Sequence, residues 1–181
     1  MIRHILLFVC LQILVFVSGQ RKLEFIGEKI DFTIDQERFS TNGLYFFINT
    51  STENVTFPIF FPFAKNADSI VVKHVFNVSY SKNVDYQFRQ GGIFFLLDVS
   101  AKDTIYLNIA YSQKTKKENT YILSSTQAWD KPLIQADYTL KVDSSISVID
   151  FSYPPDKQSK NIFYWNKINF YPENEFTIWI E

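Results

Sequence analysis

The sequence predicts an all-β protein, a two-sheet antiparallel β-sandwich of immunoglobulin-like or jelly-roll-like form, preceded by a helical signal peptide. Three observations predict it. Apolar and polar residues alternate with a period of two along most of the chain, and no helical period is sustained beyond the first segment. Clusters of Gly, Pro, Asn, Asp and Ser interrupt the alternation at short intervals. Phe, Tyr, Ile and Val, which suit a pleated, half-buried surface, are abundant: 18% of the 181 residues are aromatic.

The segment Met1 to Gly19 reads as a cleavable export signal. Arg3 and His4 form a short basic start, Ile5 to Val17 an apolar core interrupted only by Gln12, and Val17-Ser18-Gly19 a small-residue end. Cleavage is expected after Gly19. The run is shorter than the roughly 20 apolar residues a bilayer-spanning helix needs, and Arg21 and Lys22 stop it. Membrane contact is expected only through this signal, if it is retained. Cys10 is preceded by Val9 inside the apolar core, whereas lipoprotein signals place a small residue there. Removing the signal removes the single cysteine and one of the two histidines. The mature domain, 20–181, is therefore held by its core without disulfides, as its size allows, and is expected to be secreted, periplasmic or on the cell envelope.

The strands follow in order. Ile30, Phe32 and Ile34 alternate with Asp31, Thr33 and Asp35; Leu44, Phe46 and Ile48 alternate with Tyr45, Phe47 and Asn49. Ile70, Val72, Phe76, Val78 and Tyr80 are expected to form the apolar face of the longest strand, opposite Lys73, Asn77 and Ser79. Ile105, Leu107, Ile109 and Tyr111 form the next, then Tyr138, Leu140 and Val142, then Ile149, Phe151 and Tyr153, and last Phe176, Ile178 and Ile180. About ten to twelve short strands at this spacing imply two packed sheets in one domain, with a closed barrel as the alternative. The stretch around Ala128 to Pro132 marks a change of sheet.

Three segments carry a resemblance. Leu44 to Phe63 is a strand ending in Asn-x-Ser, a turn, and a second strand closing on aromatic-Pro-aromatic. Asp103 to Tyr111 and Tyr121 to Pro132 follow, and Trp165 to Ile178 repeats the theme with Trp-x-x-x-x-Phe-x-Pro. This ordering resembles exported bacterial β-sandwich domains of unknown function, over nearly the whole mature chain. The resemblance implies fold and compartment and carries no catalytic residue. The chain departs from the pattern at Thr126-Gln127-Ala128-Trp129, where Thr-Gly ordinarily precedes the Trp.

Composition excludes several functions. A net charge of −1 with both signs interspersed argues against a nucleic-acid partner; Lys114, Lys116 and Lys117 read as a solvated hairpin tip. One histidine, His74, remains after cleavage, on an expected apolar face, and no cysteine remains, so no metal or other cofactor is expected. Oxygen ligands for calcium occur in the turns at Asp98 to Asp103 and Asp143 to Ser145, without a recognised loop. No Gly-x-Ser-x-Gly, His-Glu-x-x-His or phosphate-cradling glycine loop is present, so no catalytic residue is assigned.

Four aromatics are candidate ligand-binding residues: Trp129, Tyr164, Trp165 and Trp179. Trp129, in a turn-rich connection beside Asp130 and Pro132, either plugs the sandwich end or faces a ligand. Tyr164 points to the face opposite Phe163 and Trp165, and a pair buried at the sandwich edge explains this segment more simply than a sugar platform. Trp179 lies opposite Ile178 and Ile180. Asn49-Thr50-Ser51, Asn54-Val55-Thr56 and Asn77-Val78-Ser79 satisfy the N-glycosylation rule, and two of them in one hairpin would mark it as exposed. The expected function is a non-enzymatic, exported binding or structural protein whose partner is an envelope protein or a glycan. The alternatives are a carbohydrate-binding module built on exposed aromatics and a carboxylate-dependent glycoside hydrolase, which needs two converging acids.

Overall fold

The computed structural model describes residues 22–181; the expected signal peptide and its cleavage site lie outside the described residues. The period-two segments form fourteen strands. They are β1 (Leu23–Ile34), β2 (Arg38–Asn49), β3 (Val55–Pro62), β4 (Val71–Asn77), β5 (Lys82–Asn83), β6 (Tyr86–Arg89), β7 (Gly92–Val99), β8 (Thr104–Lys114), β9 (Glu118–Tyr121), β10 (Leu133–Val142), β11 (Val148–Phe151), β12 (Lys157–Ser159), β13 (Ile162–Phe170) and β14 (Phe176–Ile180). A 3₁₀ helix, Ser124–Trp129, joins β9 to β10. The count exceeds the sequence expectation because β5, β6, β9, β11 and β12 are only two to four residues long.

The sandwich has one undivided layer and one split layer. The large sheet runs β12-β13-β10-β1-β2-β8-β4-β5; the other layer consists of two three-stranded sheets, β3-β7-β6 and β11-β14-β9. Pairing is antiparallel throughout except that β1 and β10 run parallel. Ring contacts fix which part covers which. Phe61 on β3 meets Tyr45 of β2 and Tyr111 of β8 at 5.5 and 5.8 Å between centroids. Phe176 on β14 meets Phe32 of β1 and Trp165 of β13 at 5.0 and 4.9 Å. The β3-β7-β6 sheet thus covers the β2-β8 side of the large sheet, and β11-β14-β9 covers the β1-β10-β13 side. A single buried cluster runs through both halves.

Most of the expected inward faces are buried as read, including Ile30-Phe32-Ile34, Ile105-Leu107-Ile109-Tyr111 and Tyr138-Leu140-Val142. On β2 the inward set is Tyr45, Phe47 and Asn49. On β4 the expected face is overturned. A bulge between Val72 and His74 leaves Lys73 as an extra residue against β8, and one extra residue turns every following side chain over. Val75 and Asn77 are buried in place of Val78 and Tyr80, which are exposed. A bulge between Val148 and Asp150 accompanies the second reversal, in which Ile149 is 63% exposed. His74 is half-buried and bonds through Nε2 to Asn108 Oδ1.

A third bulge, between Phe25 and Gly27 on β1, has the largest consequence. Before it the odd-numbered Leu23 and Phe25 face inward, and after it the even-numbered Glu28, Ile30, Phe32 and Ile34 do. An acidic side chain is thereby directed into the core. The position needs glycine: a Cβ on Gly27 would stand 2.7 Å from the backbone oxygen of Gln135 on β10 and 3.1 Å from the Phe46 ring.

Candidate functional site

Because the second layer is split, the middle of the large sheet is left partly open, and a cavity of about 330 Å³ lies there. Its floor is Phe25 and Glu28 of β1 with Tyr45 and Phe47 of β2; one wall is the β3 segment 57–62; the opposite wall is Tyr121 and the 3₁₀ helix with Ser125, Thr126 and Trp129. Pro58, Phe60 and Ala128, all exposed, stand at its mouth. The volume is at the lower end of the range for small-molecule sites, and so is the composition typical of them: aromatic walls and few polar groups.

Each wall has a local cause. The β3 wall alternates Phe57, Ile59 and Phe61 toward the cavity side with Pro58 and Phe60 outward, as a strand must. The 3₁₀ helix is held at its start by Glu175, whose carboxylate accepts the Leu123 and Ser124 amides. At its end Asp130 takes a left-handed conformation (φ 56°) and its amide donates to Gln127 O. That turn directs Trp129 onto Phe25, Phe47 and Phe57, with ring centroids 6.0, 5.6 and 5.7 Å away.

The floor holds a buried polar network. Glu28 is 1% exposed; its Oε1 accepts from the Tyr138 hydroxyl at 2.6 Å and its Oε2 from the Tyr121 hydroxyl at 2.9 Å. The Tyr45 hydroxyl lies 3.1 Å from that of Tyr121. Since Tyr121 commits its one proton to the carboxylate, Tyr45 is the donor between the two tyrosines. Burial pushes the Glu28 carboxyl from its ordinary 4.5 up to about 7, against the opposing effect of the Tyr138 and Tyr121 hydrogen bonds. Burial and then the Glu28 charge hold Tyr45, Tyr121 and Tyr138 well above the ordinary tyrosine range, so all three remain hydrogen-bond donors. The Tyr45 ring lies across Gly43, where a Cβ would overlap it, so Gly43 makes the space that lets the hydroxyl reach the network.

The four sequence-predicted aromatics are not gathered together. Trp129 lines the cavity. Trp165 is 2% exposed in the core, donating Nε1–H to Tyr153 O at 2.8 Å, and it cannot present a face to a surface ligand. Tyr164 faces away from Phe163 and Trp165 with the Lys157 ammonium 6.0 Å above its ring, and Trp179 is half-buried on β14 in a different sheet. Sequence reading missed Glu28, Tyr45, Tyr121 and Tyr138 as one constellation. A signal was present, since carrying the Ile34-Phe32-Ile30 face back two places puts a glutamate on it. Glu28 is the one carboxylate among the described residues lining the cavity. Among the described residues no group of three or more His, Cys, Asp and Glu side chains is gathered to hold a metal, and no helix is long and apolar enough to cross a membrane.

No protein-family model and no curated protein matches the chain. Solved structures share its fold. A Legionella pneumophila protein described as a "putative nutrient binding protein" superposes with a TM-score of 0.63 at 14% identity, over 89% of this chain and 67% of its own. Leukotriene A4 hydrolase from Saccharomyces cerevisiae gives a TM-score of 0.57 at 13% identity, over 91% of this chain and 30% of its own. An M1 zinc metallopeptidase from Deinococcus radiodurans gives 0.50 at 12%, over 89% and 43%. The chain spans less than half the length of either enzyme. At these identities the likeness is one of fold, and function has to be argued from the site.

Proposed function

We propose that the chain is an exported binding domain that holds a small, largely apolar molecule in the cavity between the two covering sheets. The observation that carries this reading is the joining of aromatic walls to a buried hydrogen-bonding floor, Glu28 with its tyrosines, in one opening of about 330 Å³. Apolar walls supply affinity through burial, and the floor supplies orientation. A protein of the same fold is described as a "putative nutrient binding protein", which agrees with the reading while the site carries it, and the basic-apolar-small order of Met1 to Gly19 supports export. The partner is then a small molecule in place of an envelope protein or surface glycan. A sugar platform is disfavoured, because Trp165 is buried and Tyr164 and Trp179 belong to different sheets. In this cavity a two-carboxylate hydrolase is disfavoured, because Glu28 is the one carboxylate among the described residues lining it.

The test uses N-phenyl-1-naphthylamine, a neutral dye whose emission rises in apolar surroundings. Saturable enhancement is expected with the mature protein, and its loss in Ser125→Phe, which puts a ring into the cavity beside Trp129. Absence of enhancement in the natural protein, or enhancement indifferent to Ser125→Phe, overturns the reading. Export is tested by the mass of the secreted product, expected to begin at Gln20.

A further inference from the structure

The cavity places a carboxylate at the bottom of an aromatic box without giving it a cation. Glu28 is the one charged residue among the described residues lining the cavity, and none of the ion pairs among the described residues includes it. Buried charges in proteins are ordinarily paired. Among the described residues the titratable groups that interact with Glu28 are tyrosines, Tyr45 from β2, Tyr111 from β8, Tyr121 from β9 and Tyr138 from β10, while the β3 segment and the 3₁₀ helix line the cavity with apolar and hydroxyl side chains. Two hydrogen bonds, one to each oxygen, leave further lone pairs on both. Phe25, Phe47, Phe57 and Trp129, packed on one another at 5.1 to 6.0 Å between centroids, line the same cavity as Glu28, and an aromatic face attracts a cation more than a neutral group of the same shape.

We infer that the ligand is an organic cation, a compact apolar body bearing one ammonium group that is seated against Glu28. The inference rests on the small-molecule reading above and names the ligand class. An ammonium supplies the missing partner, and its apolar body replaces water along the aromatic walls. Because Glu28 is protonated when the cavity is empty at mildly acid pH, binding of the cation expels that proton, and affinity for the cation rises with pH through the neutral range.

The experiment compares 2-phenylethylamine, a cation throughout this range, with 2-phenylethanol, its neutral counterpart, by displacement of the dye. The amine is expected to bind about tenfold or more tightly than the alcohol above neutral pH, to lose that advantage as pH falls below 6, and to lose it at every pH in Glu28→Gln, while the alcohol is little affected. The pH series on the unaltered protein carries the test if Glu28→Gln fails to fold. Dye binding with no preference for the amine, or a preference that survives Glu28→Gln, overturns the cation assignment and leaves the small-molecule reading standing. Binding of neither dye nor probes overturns both.

Discussion

Glu28 and Tyr45 stand directly opposite each other across the β1–β2 ladder, and they communicate through a third residue: Tyr45 donates to Tyr121, and Tyr121 donates to Glu28. The link joins the two layers, because Tyr121 ends β9 of the covering layer. Tyr121→Phe removes both bonds and leaves a buried carboxylate oxygen without a donor. A loss of about 2 kcal/mol is expected, with Tyr45→Phe, which removes only the outer bond, closer to 1. Urea unfolding of both variants and their double mutant checks this; equal costs for the two would show that the link to Glu28 is not the stronger one.

The stability of the domain is expected to fall as pH rises from about 4.5 to about 7. Over that window the folded protein keeps the Glu28 proton, its carboxyl raised from 4.5 to about 7 by burial, while the unfolded chain has released it. The folded state therefore binds more protons, and each pH unit removes roughly 1.4 kcal/mol, up to about 3 in all, with no further contribution from this group above the window. Urea midpoints across the window should show the slope in the unaltered protein and a flatter profile in Glu28→Gln. A slope that survives the substitution would assign it to another group.

The bulge that aims Glu28 inward depends on Gly27. Gly27→Ala sets a methyl 2.7 Å from the Gln135 carbonyl, which is backbone and cannot swing aside. A destabilisation of about 1–3 kcal/mol is expected, together with weaker dye binding, since displacing β1 from β10 moves Glu28 relative to Tyr138. Unchanged stability by thermal unfolding would mean that the two strands can separate there without penalty.

These residues show where the sequence was legible. Regular alternation revealed the all-β sandwich and most of its inward faces, because a period of two reports burial directly. Each bulge inserts one residue and resets that period, and bulges carry no fixed composition. The faces after Val72 and around Ile149 were therefore misassigned, and the one that brings Glu28 into the core was unread. The polar floor was hidden for another reason: Tyr45, Tyr121 and Tyr138 come from three strands distant in sequence, and each alone resembles an ordinary core aromatic. Trp129 was legible as a candidate because a large ring beside Asp130 and Pro132 in a connection must either plug the sandwich end or face a ligand; it packs on Phe25, Phe47 and Phe57 and lines the cavity. Trp165 reads more simply as core than as a ligand platform, and the core is where it lies.

Of the three N-glycosylation sequons, only Asn54 is accessible. Asn49 is fully buried with its Nδ2 donating to the carbonyls of Glu53, Val99 and Ser100, and Asn77 is 1% exposed. The segment joining β2 to β3 is not the expected hairpin, since β2 pairs with β1 and β8 and β3 with β7 in the other layer, and it is not exposed along its length. Asn54 is exposed, and its Oδ1 accepts the Ala101 amide at 2.9 Å, leaving Nδ2 free for a sugar. Secretion from a eukaryotic host is expected to give folded protein with one glycan, lost in Asn54→Gln; intact mass before and after deglycosylation reads this, and a glycan on Asn49 or Asn77 in folded material would contradict the burial.

Glu175 is expected to control the cavity wall from outside it. It lies just before β14, and its carboxylate accepts the Leu123 amide, the Ser124 amide at 3.0 Å and the Ser124 hydroxyl, so it satisfies donors at the start of the 3₁₀ helix that have no partner within the helix. Trp129 is the last residue of that helix. Glu175→Ala should destabilise by about 1–2 kcal/mol, the usual effect of losing a side-chain cap. It should also loosen the packing of Trp129 on Phe25, Phe47 and Phe57, read as a red shift in tryptophan emission and weaker dye binding. Glu175→Gln keeps one carbonyl acceptor and should retain most of both. The emission change is expected to be largely lost when the same pair is compared in a Trp129→Phe background, because Trp129 is the tryptophan on the helix whose start Glu175 holds, and any remainder reports Trp179 on the β14 strand that Glu175 precedes or Trp165 packed on Phe176. A shift that persists there in full would place the disturbance in the core, and the helix would then owe its position to the Asp130 turn alone.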